Sequence, residues 1–253
     1  MPTLTIADQT IYYTHSKPPV AQRPPLVLVH GAGGDHLHWP PQLRRLAGCE
    51  VYALDLPGHG RSPGAGRDTI AAYVQVLSAF VDTLALPPFV LAGHSMGGAI
   101  ALAFALDYTD LLAGLVLIGT GARLRVSPTL LAGLQTDFDA TTAQVIDWMY
   151  TSAFPYRPQA LQQLRTNDPQ TLHDDFLACD HFDVRVQVAS LTLPTLIICG
   201  VADTMTPIKV SETLHQAIGG SQLHRVAAAG HMVMIEQPAA VTGLVDEFLT
   251  IDD

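Results

Sequence analysis

A short apolar run leads directly into a glycine-flanked serine in the stretch FVLAGHSMGG, residues 89–98. The run Phe89–Ala92 predicts a buried strand, and the residues from Gly97 onward predict a helix. In a strained strand-to-helix turn of this kind, the positions two before and two after the central serine must lack side chains. Gly93 and Gly97 occupy those positions. Ser95 is therefore predicted to stand at the helix N-terminus, where the helix dipole favours a developing anion. The alternative is an ordinary glycine-rich turn without chemistry.

Short apolar runs alternate with helical stretches along most of the chain. Buried strands are predicted at Leu26–Val29, Val51–Leu54, Phe89–Ala92, Leu115–Ile118 and Leu196–Cys199. Helices are predicted at Ile70–Leu84, Gly97–Asp107, Val210–Ile218 and Pro238–Leu249, and an N-terminal hairpin at Leu4–Ile6 with Ile11–Tyr13, turning at Asp8 and Gln9. Strands that alternate with helices indicate a mostly parallel sheet that helices cover on both faces. The predicted fold class is α/β, as a single domain over residues 1–253.

One region, from about residue 121 to 190, departs from this alternation because it contains no convincing strand. Helical stretches are predicted there at Pro128–Phe138 and Thr142–Phe154, and aromatic residues are frequent. A helical insertion of that size between two strands predicts a cap over the edge of the sheet. The alternative is that these helices simply pack on the sheet, with the aromatic residues as their core.

A catalytic serine needs partners, because its hydroxyl is a poor nucleophile without an imidazole base that a carboxylate orients. Asp203 follows the predicted strand Leu196–Cys199, and His231 follows the further strand candidate Leu223–Ala229. Both residues are thus predicted on loops at the carboxyl edge of the sheet, where open α/β sheets carry their sites. We therefore expect Ser95 as nucleophile, His231 as general base and Asp203 as the residue that orients it.

Acyl transfer also needs hydrogen-bond donors for the oxyanion of the tetrahedral intermediate. Backbone N–H groups that follow the serine and the first central strand can supply them. The sequence predicts the N–H groups of Met96 and Ala32 for this role, with Gly33 as the near alternative to Ala32.

Charge and cysteine content exclude several other classes of function. The chain has 13 Lys and Arg against 23 Asp and Glu, with no basic run, which argues against binding nucleic acid or an anionic membrane. The apolar runs are far shorter than the roughly 18–20 residues of a membrane span, and the first ten residues lack the apolar core of a signal peptide. Three widely spaced cysteines without a C-x-x-C pattern favour a reduced, cytoplasmic location.

Neither a metal nor a cofactor is expected. His30, His36 and His38 could suggest a metal site, but a glycine-containing turn does not fix three imidazoles in place. The turn Gly31–Gly34 lacks the third glycine of a dinucleotide-binding fingerprint.

Five motifs in fixed order together resemble the α/β-hydrolase superfamily. They are HGAGG at residues 30–34, DLPGHGRS at 55–62, GHSMGG at 93–98, GVAD at 200–203 and GH at 230–231, and EQP at 236–238 fits the same pattern. The resemblance implies an eight-stranded, mostly parallel sheet, a Ser95–Asp203–His231 triad and a helical cap near 121–190. The branch looks like that of the capped esterases, enol-lactonases and carbon–carbon bond hydrolases.

These expectations combine into a cofactor-independent serine hydrolase of a small to medium carboxylic ester, thioester or lactone. The aromatic cap suggests that this small-molecule substrate has an apolar acyl or alcohol part. One alternative is a carbon–carbon bond hydrolase, which would clamp substrate carboxylates with cap arginines: Arg123, Arg125, Arg157 and Arg165. A perhydrolase or haloperoxidase-like enzyme and a ligand-binding receptor with a retained triad are further alternatives. The oligomeric state stays open.

Overall fold

The computed structural model describes residues 2–6 and 9–250, and within them the strands form one eight-stranded sheet. In chain order they are β1 (Thr3–Ile6), β2 (Gln9–Ser16), β3 (Leu26–Val29), β4 (Val51–Leu54), β5 (Phe89–His94), β6 (Leu112–Ile118), β7 (Thr195–Gly200) and β8 (Gln222–Val226). The order across the sheet is β1-β2-β4-β3-β5-β6-β7-β8. The pairs β1–β2 and β2–β4 are antiparallel, and all the others are parallel. The predicted α/β class and N-terminal hairpin are confirmed, although Asp8 of its turn lies outside the described residues.

Helices occupy most of the connections between the strands. They are α1 (Pro41–Arg44), α2 (Ile70–Thr83), α3 (Met96–Asp107), α4 (Pro128–Thr136), α5 (Phe138–Met149), α6 (Arg157–Leu164), α7 (Pro169–His181), α8 (Ile208–Ala217), α9 (Val233–Glu236) and α10 (Pro238–Phe248). Among residues 2–6 and 9–250, none of these helices combines the length and apolarity that crossing a membrane requires.

The strands are apolar throughout because both faces of the sheet are buried. Alternate residues point to opposite sides, so Val27 and Leu91 pack with α2, α3 and α8, whereas Leu28 and Val90 pack with α1 and α10. A strand that is covered on both faces reads as a continuous apolar run rather than as an alternating one. This arrangement leaves the carboxyl ends of the parallel strands and their loops free to carry polar groups.

The segment between β6 and β7 contains α4 to α7 and an isolated β-bridge between Arg123 and Asp183. Three of the four sequence-based helix boundaries here were wrong, among them the predicted end at Phe154, since α5 ends at Met149. Helix α4 ends at Thr136 and α5 begins at Phe138, because the Asp137 side chain caps α5 by accepting the N–H of Ala140. Helices α6 and α7 were not predicted individually. Elsewhere, β8 ends at Val226, whereas the predicted strand continued to Ala229. The chain turns at Ala228, whose φ is 53°.

Candidate active site

Ser95 occupies a strained backbone position between β5 and α3. Its φ of 53° and ψ of −115° lie in a region that non-glycine residues rarely adopt, and such strain persists only where the surroundings enforce it. The Ser95 N–H donates to the carbonyl oxygen of Ile118 at 2.9 Å, and the Ser95 carbonyl accepts the Thr120 hydroxyl at 2.9 Å. Strand β6 and the residues that follow it therefore hold the turn.

Close backbone approach explains the glycines around Ser95. A Cβ on Gly93 would overlap the carbonyl group of Gly97, and a Cβ on Gly97 would overlap the carbonyl oxygen of Val29. A Cβ on Gly98 would overlap the Thr120 side chain, so this glycine lets α3 approach the sheet. The steric requirement that was inferred from the sequence is present at Gly93 and Gly97, and the structure adds Gly98.

The side chains of His231 and Asp203 form a buried hydrogen-bonded pair. His231 Nδ1 lies 2.9 Å from Asp203 Oδ2, and the two residues are 2% and 5% exposed. Asp203 Oδ1 accepts the backbone N–H groups of Met205 and Thr206, each at 2.9 Å, and the Thr206 hydroxyl donates to Oδ2 at 2.8 Å. Burial alone would raise the pKa of Asp203, but the charge of His231 and these hydrogen bonds outweigh it and lower the pKa below its ordinary value. An ionised Asp203 thus faces Nδ1 and leaves Nε2 available as a base.

Sequence reasoning missed Thr206. The available signal was its spacing, since an aspartate followed three residues later by a hydroxyl-bearing residue at a strand-to-helix loop is a common local hydrogen-bonding pattern.

Glu236 holds the loop that carries His231. Its Oε2 accepts the Gly230 N–H at 2.6 Å, while Oε1 accepts both the N–H of Thr151, at 2.9 Å, and its hydroxyl, at 2.5 Å. The Met232 N–H donates to the carbonyl oxygen of Met149 at 3.1 Å. The histidine loop is therefore attached to the end of α5.

Ser95 and His231 line one cavity of about 600 Å³. Among the described residues, no hydrogen bond joins the Ser95 hydroxyl to His231. The wall is largely apolar and includes Leu124, Leu130, Trp148, Phe176, Met205 and Val210. Other aromatic residues of the helical segment line a separate cavity of about 400 Å³, namely Tyr150, Phe154 and Tyr156.

Three arginines lie on the wall of the main cavity: Arg123, Arg125 and Arg185. Asp183 pairs with two of them, at 2.7 Å from Arg185 and 3.5 Å from Arg123. Arg125 is exposed and forms no ion pair with any described residue. The other two arginines that the sequence suggested as carboxylate partners point elsewhere, because Arg157 pairs with Asp147 and Arg165 with Asp139.

The two candidate oxyanion donors after β3 differ in whether their N–H is already used. The Gly33 N–H donates to Asp175 Oδ2 at 2.9 Å. Ala32 lines a narrow gap of about 20 Å³ together with Ser95 and His231, and its N–H donates to no described residue. Met96 is the first residue of α3, so its N–H has no partner within the helix. This geometry favours Ala32 over Gly33 and is compatible with Met96.

The histidine next to Ser95 in the sequence, His94, has a structural partner. His94 Nε2 lies 3.0 Å from the carbonyl oxygen of His231, and burial together with the nearby His231 lowers the pKa of His94, which keeps its ring neutral.

A candidate metal site lies elsewhere, where three potential ligand atoms come together from Asp35, His36 and Asp55. Both Asp55 oxygens already accept N–H groups, however, with Oδ1 2.7 Å from His36 N and 2.8 Å from His36 Nδ1, and Oδ2 2.9 Å from Arg61 N. This cluster therefore suits a hydrogen-bonded turn better than a metal site.

Comparison with known proteins gives a family match and several relatives. A family model described as "Alpha/beta hydrolase family" matches residues 26–244. A pimeloyl-[acyl-carrier protein] methyl ester esterase of Neisseria meningitidis is 28% identical over 239 residues, which cover 88% of this chain and 92% of the relative. A 2-hydroxy-6-oxo-2,4-heptadienoate hydrolase of Pseudomonas putida is 30% identical over 258 residues, covering 90% of each. The crystal structure of the enol-lactonase from Burkholderia xenovorans LB400 superposes with a TM-score of 0.90 at 26% identity, covering 99% of this chain and all of that one.

Proposed function

Because the chain belongs to the alpha/beta hydrolase family, we propose that it is a serine hydrolase that cleaves a small to medium carboxylic ester, thioester or lactone. One observation carries the proposal. Ser95, held at a φ of 53°, lines the same apolar cavity as a His231 whose Nδ1 is hydrogen-bonded to a buried Asp203. A nucleophile, a base and an orienting carboxylate are the three groups that acyl transfer through a serine requires.

In the proposed mechanism, Ser95 Oγ attacks the substrate carbonyl while His231 Nε2 accepts its proton. The ionised Asp203 stabilises the imidazolium and keeps Nδ1 protonated. The N–H groups of Met96 and Ala32 bind the oxyanion of the tetrahedral intermediate. His231 then protonates the leaving group, and a water molecule that His231 activates releases the acid from the acyl-enzyme. No step calls for a cofactor or a metal.

The segment from about 121 to 190 acts in this proposal as a cap on a single domain. Trp148 and Phe176 come from it and line the cavity that Ser95 and His231 share, which suits an apolar acyl or alcohol group. The cytoplasm is the proposed location, and three buried free cysteines fit a reducing compartment: Cys49, Cys179 and Cys199.

A second candidate, hydrolysis of a carbon–carbon bond, is favoured by the arginines on the cavity wall. Arg125 has no ion pair among the described residues, so its charge is available to a substrate carboxylate. The relative from Pseudomonas putida is named for such a hydrolase, whereas the relatives from Neisseria meningitidis are named for a methyl ester esterase. We place ester cleavage first because the rest of the wall is largely apolar.

The test is turnover of p-nitrophenyl butyrate by the wild type, Ser95→Ala and Ser152→Ala. Ser152 is exposed and serves as the matched control for the loss of a serine hydroxyl. We expect Ser95→Ala to reduce kcat by about 10⁴-fold or more and Ser152→Ala to keep the wild-type rate. A burst of p-nitrophenol equal to the enzyme concentration, together with an acyl adduct on Ser95 in mass spectrometry, would support the covalent intermediate.

Equal rates in the wild type and Ser95→Ala would reject the serine mechanism. Negligible turnover across a broad ester panel, combined with thermal stabilisation by a tightly bound ligand, would favour a receptor instead. Faster hydrolysis of a substrate with a scissile carbon–carbon bond than of any ester in the panel would favour the second candidate.

A further inference from the structure

The segment between β6 and β7, called the cap below, holds Gly33 in the loop at residues 30–34, called the oxyanion loop below. The Gly33 N–H donates to Asp175 Oδ2 at 2.9 Å, and the Gly33 carbonyl oxygen accepts the side-chain N–H of Asn167, with Nδ2 at 3.0 Å. Asp175 lies on α7, and Asn167 lies in the turn between α6 and α7. Both polar backbone groups of Gly33 are thus bound by residues of the segment between β6 and β7.

Apolar side chains of the same segment enclose Gly33. Its φ is 63°, and a Cβ on it would lie 2.7 Å from Leu172 Cδ1 and 2.8 Å from Leu164 Cδ1. Since Leu172 is on α7 and Leu164 ends α6, the cap packs directly against the Cα of the loop. The loop therefore has little freedom to move while these two helices stay seated.

The Asp175 side chain is held firmly in place. It is fully buried, and each hydrogen bond that its carboxylate accepts from a described residue comes from outside the cap. Oδ1 accepts the Tyr73 hydroxyl at 2.5 Å, and Oδ2 accepts His59 Nε2 at 2.7 Å in addition to the Gly33 N–H. His59 Nδ1 lies 3.0 Å from the carbonyl oxygen of Pro57, so both ring nitrogens face acceptors. A doubly protonated His59 satisfies both and offsets the buried charge of Asp175.

We propose that Asp175 and Asn167 are positioning residues that hold the oxyanion loop, so that the seating of the cap orients the Ala32 N–H toward the oxyanion. This inference rests on the proposed function. Ala32 immediately precedes Gly33, and the peptide group that joins them is the one whose N–H Asp175 binds. That peptide group adjoins the Gly31–Ala32 peptide group, which carries the Ala32 N–H, so its displacement would shift the Ala32 N–H relative to Ser95. The cap would consequently set kcat even for an acetyl ester that is too small to reach the distant cavity wall.

The test measures kcat and KM for p-nitrophenyl acetate in Asp175→Ala, Asn167→Ala and Tyr73→Phe. Complete loss of one oxyanion donor reduces kcat by about 10²–10³-fold. A donor that is only displaced should reduce kcat less, by about 10–100-fold in Asp175→Ala and about 3–10-fold in Asn167→Ala, with KM nearly unchanged. Tyr73→Phe is the matched control. It removes the hydrogen bond to Asp175 Oδ1 but leaves those of Oδ2 to Gly33 and His59, so kcat should fall much less than in Asp175→Ala.

An alkyl boronic acid provides a readout that a purely structural role would not change. Its adduct with Ser95 places an oxygen where the oxyanion forms, so its inhibition constant should rise in Asp175→Ala by the factor by which kcat/KM falls. Asp175→Asn keeps an oxygen that can accept the Gly33 N–H and should recover most of the lost kcat.

Three outcomes would overturn the inference: kcat within twofold of wild type in both alanine variants, an equal loss in Tyr73→Phe, or an unchanged boronic acid constant. If Asp175→Ala does not fold, the half-buried Asn167 carries the test, because its variant loses only one hydrogen bond to the loop. The activity of Ser95→Ala on p-nitrophenyl acetate is measured in the same experiment to test the proposed function separately. Equal activity in Ser95→Ala and the wild type would reject the proposed function, whereas an inactive Ser95→Ala with unaffected Asn167 and Asp175 variants would reject only the positioning role.

Discussion

Thr206→Val removes one of the four hydrogen bonds on Asp203 without changing the volume of the side chain. The Thr206 hydroxyl is buried and donates to Asp203 Oδ2 at 2.8 Å, while three N–H donors remain, from His231, Met205 and the Thr206 backbone. Hydrogen bonds to charged groups contribute about 1.5–3 kcal/mol, so the free energy of unfolding at pH 7 should fall by about that amount. Thr206→Ser keeps the hydroxyl and serves as the matched control.

The sign of the pH dependence follows from the lowered pKa of Asp203. Its ionised form contributes stability that is complete above the unfolded pKa of about 3.9 and is lost as the pH falls through the lower folded pKa. Since Thr206→Val brings the folded pKa closer to its ordinary value, the stability difference from wild type should be largest near neutral pH and should shrink below about pH 4.

Urea unfolding at pH 7 and at about pH 3 measures the stability difference, and kcat/KM for p-nitrophenyl butyrate measures the catalytic effect. We expect kcat/KM to fall about 5–30-fold, because a less firmly held Asp203 orients His231 less well, and to recover in Thr206→Ser. Wild-type stability in Thr206→Val, or an equal loss in Thr206→Ser, would refute the role that we assign to this hydroxyl.

Two further predictions concern the turn and the cavity wall. Gly97→Ala would push a Cβ into the Val29 carbonyl oxygen and should lower the unfolding free energy by more than about 3 kcal/mol in thermal denaturation, whereas Gly243→Ala, with open space around it in α10, should raise it by about 0.5–1 kcal/mol. Comparable melting temperatures for these two variants would contradict the steric argument. Arg125→Ala should lower kcat/KM for a carboxylate-bearing hemi-ester about tenfold relative to a neutral ester of the same length, and Arg157→Ala, whose partner is Asp147, should leave that ratio unchanged. A ratio that is equal in both arginine variants would exclude Arg125 from substrate binding.

The sequence predicted the central strands well because each is buried on both faces and reads as an uninterrupted apolar run. It was less accurate where a boundary depends on one side chain or on a single backbone angle. The break between α4 and α5 depends on the Asp137 cap, and the early end of β8 on the turn at Ala228. Neither signal stands out from the surrounding apolar pattern.

Local motifs determined the strained turn at Ser95 and the family, because the contacts that require glycine at 93 and 97 follow from spacing within one turn and from the approach of a neighbouring strand. The contact that favours Ala32 over Gly33 is visible only in the tertiary structure, since the Gly33 N–H is used by Asp175, which is 142 residues away along the chain. Tertiary structure also decided which arginines face the cavity, because Arg125 and Arg157 differ in the partners that packing brings to them. Steric requirements within one turn can be inferred from residues that are close in sequence, whereas the partner of a buried polar group depends on how distant segments pack.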